Sequence, residues 1–491
     1  VKNITFDNSR NPLVIDDNVR YGVQFANSTV SFDGAISLNN NRDAGEILSS
    51  FVTFNDSVTV SKSKLNSLLF SGGGKTTFNG DLTTTNNSFH GFHVSASTTA
   101  FNGNVVATNN GSHGLLFVIG TAAFNGNVTA TGNANKDLYF DNSTGIFNGN
   151  VTAGTFHIKG SSNLTFGNEI KDIVIDAPIT TNTAGEGKLT FNAGTSIEQN
   201  IGTSFLPVQE IRFASKNPAK ITHVKNDIFS NEIISDNSII TFDGNIKSGE
   251  FKLQGATSNL TFGDESKNIV IDAPITTSKA GEGKLTFNAG ITVGKGIGTA
   301  LLPVKEIHFT SKSPTKISHI INDVFSNEII SDNSIATFEG NVTAGEFKLQ
   351  GTTNNITFGD ETENIIIDMV ISTSIAGEGK MTFNAGTTIE KSIGTALLPV
   401  KEIRLVTENP TKIINIKNDI FSKEVISDNS NSQFNGNVTA EEFKILGTRD
   451  NINFGDDTQN STIDALITTK TAGQGKLTFN GGVTVQQNIG T

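Results

Sequence analysis

Three histidines have a spacing that could support metal chemistry. His113 follows His90 by 23 residues, each is followed by Gly, and His93 lies three residues after His90. A zinc site needs three or four converging ligands, with Cys and His the commonest, and the chain contains no Cys. The pattern therefore favours exposed corner residues that were copied with a repeat. We predict no metal ligand and no cofactor.

Acidic residues recur in short glycine-led segments that could bind calcium. Gly263–Glu265 returns as Gly359–Glu361 and Gly455–Asp457, and Asn168 and Glu169 occupy the equivalent place further upstream. Ca²⁺ prefers oxygen ligands. The copies are 96 residues apart, too far to share an ion, and the glycine-rich calcium nonapeptide is absent. These segments are predicted to be solvated tight turns.

Signatures of catalysis are weak. The chain has no Gly-x-Ser-x-Gly motif, and Gly72–Lys75 lacks the spacing of a phosphate-binding loop. A polysaccharide lyase or glycosidase would need one set of paired carboxylates. The nearest unduplicated candidate is Asp16 and Asp17 with Arg20, whereas most other acidic positions are duplicated. Duplication is typical of a scaffold, so we predict a protein that is not an enzyme.

Composition excludes several classes of protein. The 491 residues carry a net charge of −12, which disfavours a general nucleic-acid binder. The absence of Cys excludes disulfides and thiolate sites. An apolar fraction of 35 % with 35 Phe is too high for a disordered chain. The sequence begins at Val1 without Met and stops within a repeat, so we expect it to be a segment of something longer.

Internal repeats organise the chain. The segment Ala184–Phe191 recurs at steps of 96 residues, starting again at Ala280, Ala376 and Ala472. We place these long repeats at 163–258, 259–354 and 355–450, with a partial copy at 451–491. Residues 78–162 show a shorter period of 23, marked by Phe-Asn-Gly, and residues 1–77 are predicted to form less regular coils. The marker spacing within a long repeat suggests four turns of about 24 residues each.

These periods predict an all-β, single continuous parallel β-helix. Repeats of 20 to 50 residues indicate a solenoid or array, and short runs rich in Ile, Val, Thr and Phe favour strands. An array of antiparallel hairpins is the alternative. The 29 residues from Phe309 to Phe338 exceed one coil, so a loop or bulge is expected within 311–322 or 326–334.

One Phe per coil should stack into a ladder inside the tube, because identical positions on successive coils lie about 4.8 Å apart. In the Phe-Asn-Gly corner, Gly is expected to adopt a positive φ and stacked Asn amides to hydrogen-bond along the axis. The predicted ladder consists of Phe78, Phe101, Phe124, Phe147, Phe166, Phe191, Phe262, Phe287, Phe358, Phe383, Phe454 and Phe479.

The repeated Phe-Asn-Gly-Asn-Val-Thr-Ala at 124–130, 147–153 and 434–440, with Asn355-Ile-Thr-Phe-Gly, resembles the passenger regions of rickettsial outer-membrane-protein and surface-cell-antigen autotransporters. The resemblance covers essentially the whole chain. It implies a β-helical passenger exported through a covalently linked outer-membrane β-barrel, which would lie outside this segment.

The resemblance also implies a function and a location. It suggests a non-catalytic adhesin stalk or surface-layer scaffold on the outer face of a bacterial cell. The expected partners are a host-cell surface component or neighbouring passenger chains, and no nucleic acid. A carbohydrate-active β-helix enzyme, a carbohydrate-binding fibre and an intracellular or phage-type structural fibre are the alternatives.

Overall fold

The computed structural model describes residues 2–6, 11–17, 21–65, 68–217, 219–311, 315–407, 409, 411–456, 458 and 460–490. In these ranges the regular elements are short β-strands. None of the described residues belongs to a helix with the length and apolarity needed to cross a membrane. The chain divides into two compact bodies, an N-terminal body of Val1–Gly249 and a C-terminal body of Glu250–Thr491.

Each body is a parallel β-solenoid. In the N-terminal body a coil consists of three strands, for example Ser28–Phe32, Ile36–Asn39 and Asp43–Leu48. The next coil begins with Phe51–Phe54, which pairs in parallel with Ser28–Phe32. In the C-terminal body, Asn259–Phe262 pairs in the same way with Glu282–Asn288. The predicted parallel β-helix is confirmed, and the antiparallel hairpin array is wrong.

The strands of the N-terminal body form three faces. Face 1 comprises Lys2–Phe6, Ser28–Phe32, Phe51–Phe54, Lys75–Phe78, Thr98–Phe101, Thr121–Phe124, Thr144–Phe147, Asn163–Phe166, Glu186–Asn192 and Val208–Ala214. Face 2 comprises Leu13–Asp16, Ile36–Asn39, Val58–Ser61, Leu82–Thr85, Val105–Thr108, Val128–Thr131, Val151–Ala153, Ile173–Asp176, Thr195–Ile197, Ile221–Val224 and Ile239–Phe242. Face 3 comprises Tyr21–Ala26, Asp43–Leu48, Leu68–Ser71, Phe92–Ser95, Leu115–Val118, Leu138–Asp141, Phe156–Lys159 and Ile179–Thr181. The longer strand Ile228–Asp236 serves faces 3 and 1 in succession.

The strand Ile246–Gln254 contains the division between the bodies. The strands of the C-terminal body follow in chain order: Asn259–Phe262, Ile269–Asp272, Ile275–Thr277, Glu282–Asn288, Ile291–Val293, Val304–Thr310, Ile317–Ile320, Val324–Asp332, Ile335–Phe338, Val342–Gln350, Asn355–Phe358, Ile365–Thr373, Glu378–Asn384, Thr387–Ile389, Val400–Val406, Ile414–Ile416, Ile420–Asp428, Asn431–Phe434, Val438–Ile445, Asn451–Phe454, Ser461–Thr469, Lys476–Phe479 and Val483–Val485.

Stacked Phe rings fill the core. The ring centroids of Phe101 and Phe124 are 4.8 Å apart, those of Phe124 and Phe147 are 4.7 Å apart, and both pairs are nearly coplanar. The residues of the predicted ladder are buried, except that Phe479 is 39 % exposed. A second set of buried Phe on face 3 meets this ladder edge-on, as Phe117 does against Phe124. The Phe ladder is therefore part of a wider aromatic core.

The Phe-Asn-Gly corners stack as closely as the strands. Each Asn amide donates to the Asn one coil before it at 2.8 Å, from Asn125 to Asn102 and from Asn148 to Asn125, as the sequence predicts. The prediction of a positive φ for the corner Gly is wrong, since Gly126 is not among the residues with positive φ. Instead, a Cβ on Gly126 would lie 2.3 Å from the carbonyl oxygen of Gly103. Gly is needed there because the corner backbones approach one another closely.

One long repeat makes four and one third turns, so the predicted four turns are wrong. In the C-terminal body the ladder from Phe262 passes through four registered steps to reach Leu349, which is 87 residues further along the chain. The equivalent of Phe262 in the next repeat is Phe358, which pairs with Phe338 on the neighbouring ladder. Successive long repeats within this body are therefore turned by one face.

The same register explains the 29-residue spacing. One turn from Phe309 leads to Ser331, and Phe338 lies on the next face. The expected bulge within 326–334 is wrong, because Val324–Asp332 is one unbroken strand. The other expected position, 311–322, contains the strand Ile317–Ile320, and its residues 312–314 lie outside the described residues.

Candidate functional site

A corner loop is repeated once in each complete long repeat. It has the sequence Gly-Thr-x-Phe/Leu-Leu-Pro and spans residues 202–207, 298–303 and 394–399. The backbone amide of Leu302 donates to the carbonyl of Thr299 at 3.1 Å, and the amide of Thr299 donates to the carbonyl of Leu302 at 3.1 Å. The Thr299 hydroxyl accepts from the same Leu302 amide. Local hydrogen bonds therefore fix the loop.

The loop is also tied to the preceding coil. The amide of Gly281 donates to the carbonyl of Pro303 at 2.8 Å. Gly281 belongs to a turn in which the Glu282 carboxylate accepts from the Ser278 hydroxyl at 2.6 Å. Equivalent bonds join Gly185 to Pro207 and Gly377 to Pro399. Two adjacent coils thus hold each loop in place.

Each loop presents one large apolar side chain to solvent. Phe205 is 88 % exposed, Leu301 is 87 % exposed and Leu397 is 86 % exposed. Exposed apolar groups held in fixed positions are typical of interaction sites. In the C-terminal body the loops of Leu301 and Leu397 lie at different corners, because the repeat advances by one face. Sequence reasoning missed this site, although an apolar residue between Gly-Thr and Pro was its signal.

The acidic corners act as turn caps. The Asp264 carboxylate accepts from the Ser266 amide at 2.8 Å, and Asp360 accepts from the Thr362 amide at 2.8 Å. Hydrogen bonds from the Ser266 and Thr362 hydroxyls hold the pKa of Asp264 and of Asp360 below its usual value. Glu265 and Glu361 follow in the left-handed conformation. This geometry agrees with the predicted tight turns, and Asp457 lies outside the described residues.

The remaining sequence candidates do not form a site. Asp16 and Asp17 are exposed, and Asp17 accepts a hydrogen bond from the Asn40 amide, while Arg20 lies outside the described residues. Gly72 and Gly73 form a surface turn with positive φ next to exposed Lys75. Across the described ranges, no three or more His, Asp or Glu side chains are arranged to hold a metal ion.

A His–Tyr cluster covers part of face 3 in the N-terminal body. His93, Tyr139 and His157 extend outward from the strands of this face, with Leu116 in register between His93 and Tyr139. Tyr139 stacks on His157 with ring centroids 5.2 Å apart, and its ring meets that of His113 edge-on. The sequence grouped His90, His93 and His113, but it missed the contacts with Tyr139 and His157 because their spacing does not follow the period.

His90 and His113 meet on adjacent corners. Their Nδ1 atoms are 3.2 Å apart, and the backbone amide of His113 lies 3.4 Å from the Nδ1 of His90. His90 is only 8 % exposed, so the prediction of an exposed corner residue is wrong for it. Burial and the neighbouring His113 and His93 lower the pKa of His90 to about 4. Burial also lowers the pKa values of His93 and His113.

This cluster predicts a loss of stability in mild acid. Because the pKa of His90 is lower in the folded chain than in the unfolded chain, its contribution is present above about pH 6.5 and is lost as the pH falls towards 4. We expect at most about 2 kcal/mol from His90, given partial solvent screening. Urea denaturation of the wild type and of His90→Asn at pH 7.5 and pH 5 measures this. Equal pH sensitivity of the two proteins would contradict the assignment.

The chain has no match among protein-family models, curated proteins or solved structures. The resemblance to rickettsial passenger regions therefore stays a prediction. The functional argument rests on the repeated residues and their geometry.

Proposed function

We propose that this chain is a surface-exposed passenger segment of a bacterial autotransporter. It acts as an adhesin stalk or scaffold, and it does not catalyse a reaction. The observation that carries the proposal is the set of corner loops, which present Phe205, Leu301 and Leu397 at the same place in each long repeat. The parallel β-solenoid is consistent with such a passenger.

The corner loops are suited to binding a protein on a host cell. Interface energy is concentrated in a few apolar or aromatic anchors that fill pockets on the partner. A tip held by backbone hydrogen bonds loses little conformational freedom on binding. The repeated tips would give several weak contacts with a partner that carries several pockets. We therefore assign the adhesive contacts to these loops.

Surface location is tested by protease treatment of intact cells of the source organism. The proposal expects the chain to be detected by antibody on intact cells and to be removed by added protease, while a cytoplasmic marker stays intact. A chain that resists protease until the cells are lysed would contradict a surface location.

The adhesive role is tested by a triple variant with Phe205→Asn, Leu301→Asn and Leu397→Asn. Because the three side chains are almost fully exposed, the free energy of unfolding should change by less than about 0.5 kcal/mol. Beads coated with the wild-type chain should adhere to cultured host cells, and the variant should need at least about tenfold higher coating density for the same adhesion.

The matched control is Ile170→Asn, which replaces an apolar residue that is 83 % exposed but lies outside the corner loops. It should adhere like the wild type. Equal adhesion by the triple variant would remove the loops from the proposal. Loss of adhesion in the control as well would indicate non-specific hydrophobic contact.

A further inference from the structure

The pair of His90 and His113 has the geometry of a metal chelate. A zinc–nitrogen bond is about 2.0–2.1 Å long, so two nitrogens 3.2 Å apart subtend about 103° at a shared ion. That angle lies between those of square and tetrahedral coordination. The two rings are held on successive corners by the coil spacing, which fixes their separation before any ion binds.

We propose that His90 and His113 bind one divalent transition-metal ion of the zinc, nickel or copper class through their Nδ1 atoms. Imidazole nitrogen suits these ions, and water molecules would complete the coordination. The site differs from the acidic corners, which offer carboxylates and would favour calcium. It is also separate from the corner loops that carry the proposed adhesive function.

The surrounding groups allow both nitrogens to present a lone pair. The backbone amide of His113 points to the Nδ1 of His90, which selects the tautomer with its proton on Nε2. The Ser112 hydroxyl lies 3.2 Å from the Nδ1 of His113 and can donate to it. The lowered pKa values keep both rings neutral at pH 7.

Binding requires one proton to move within His113. Without an ion, its Nδ1–H can donate to His90, and the Asn135 amide lies 3.4 Å from its Nε2. With an ion bound, the proton resides on Nε2, and a turn of the Asn135 amide lets its oxygen accept that hydrogen bond. Such second-shell support orients the ligand ring. The number of protons on the ring is unchanged.

The test is calorimetric titration of the purified chain with zinc chloride, and separately with nickel chloride, at pH 7.5. We expect a site for one ion, with affinity weakened at least about tenfold by His90→Asn and by His113→Asn. His223→Asn is the matched control, because His223 is exposed and lies on a different face. It should leave the affinity unchanged.

A second measurement uses the wild-type chain and does not depend on variants that fold. Zinc should shift the imidazole nitrogen resonances of His90 and His113 while leaving those of His223 in place. The proposal is overturned if these resonances do not move at saturating zinc. It is also overturned if no ion binds, or if both substituted chains bind zinc as tightly as the wild type.

Discussion

Replacing Phe124 by alanine is expected to lower the free energy of unfolding by about 3–5 kcal/mol. Phe124 is fully buried, stacks between Phe101 and Phe147, and meets Phe117 edge-on. The substitution removes contacts on three sides at once. The neighbouring coils cannot close the resulting cavity, because backbone hydrogen bonds fix their spacing. Urea denaturation followed by circular dichroism gives the difference.

The matched control for this substitution is Phe205→Ala. Phe205 belongs to the same body but is 88 % exposed, so its removal should cost less than about 0.5 kcal/mol. In a solenoid, stability is approximately a sum over neighbouring coils. Hydrogen exchange should therefore show the largest loss of protection in the coils next to Phe124. A Phe124→Ala chain as stable as the control would contradict the stacked core.

Replacing Gly126 by alanine is expected to cost about 3 kcal/mol. An added Cβ would lie 2.3 Å from the carbonyl oxygen of Gly103, 2.5 Å from its carbonyl carbon and 2.9 Å from the amide nitrogen of Asn104. These are backbone atoms of the preceding coil, so no side chain can move aside to relieve the clash. Thermal denaturation and the exchange rates of the amides around residue 103 report the effect.

The comparison variant is Gly294→Ala. Gly294 has no positive φ, and the nearest atom to its added Cβ is 3.8 Å away. This substitution should be neutral or slightly stabilising, because it also reduces the freedom of the unfolded chain. If both glycine variants were equally stable, close approach would not be the reason for Gly at the Phe-Asn-Gly corner.

Periodicity predicts most of the fold because each coil repeats the same local contacts. The Phe and Asn ladders follow from residues 23 apart, and those residues do stack. The number of turns in a long repeat was harder to derive. Ser331 occupies the ladder position after Phe309, and a search for aromatic markers passes over it to Phe338. A change of residue type hides a change of face.

The candidate sites could be predicted only in part. The acidic corners are local turns, so the sequence around Asp264 predicts their geometry. The exposure of Leu301 depends on a corner that extends beyond the coil, which composition does not reveal. The burial of His90 depends on how its corner folds over face 3, and this is a contact between coils that the spacing alone does not specify.

The extra third of a turn has a consequence for inheritance. Recombination between nearly identical 96-residue stretches can add or remove one copy without altering any local contact, because each junction reproduces an existing one. Within the C-terminal body, such an event would rotate everything beyond the junction by one face. Copy number would therefore set the compass direction of a downstream loop, and three added copies would restore it.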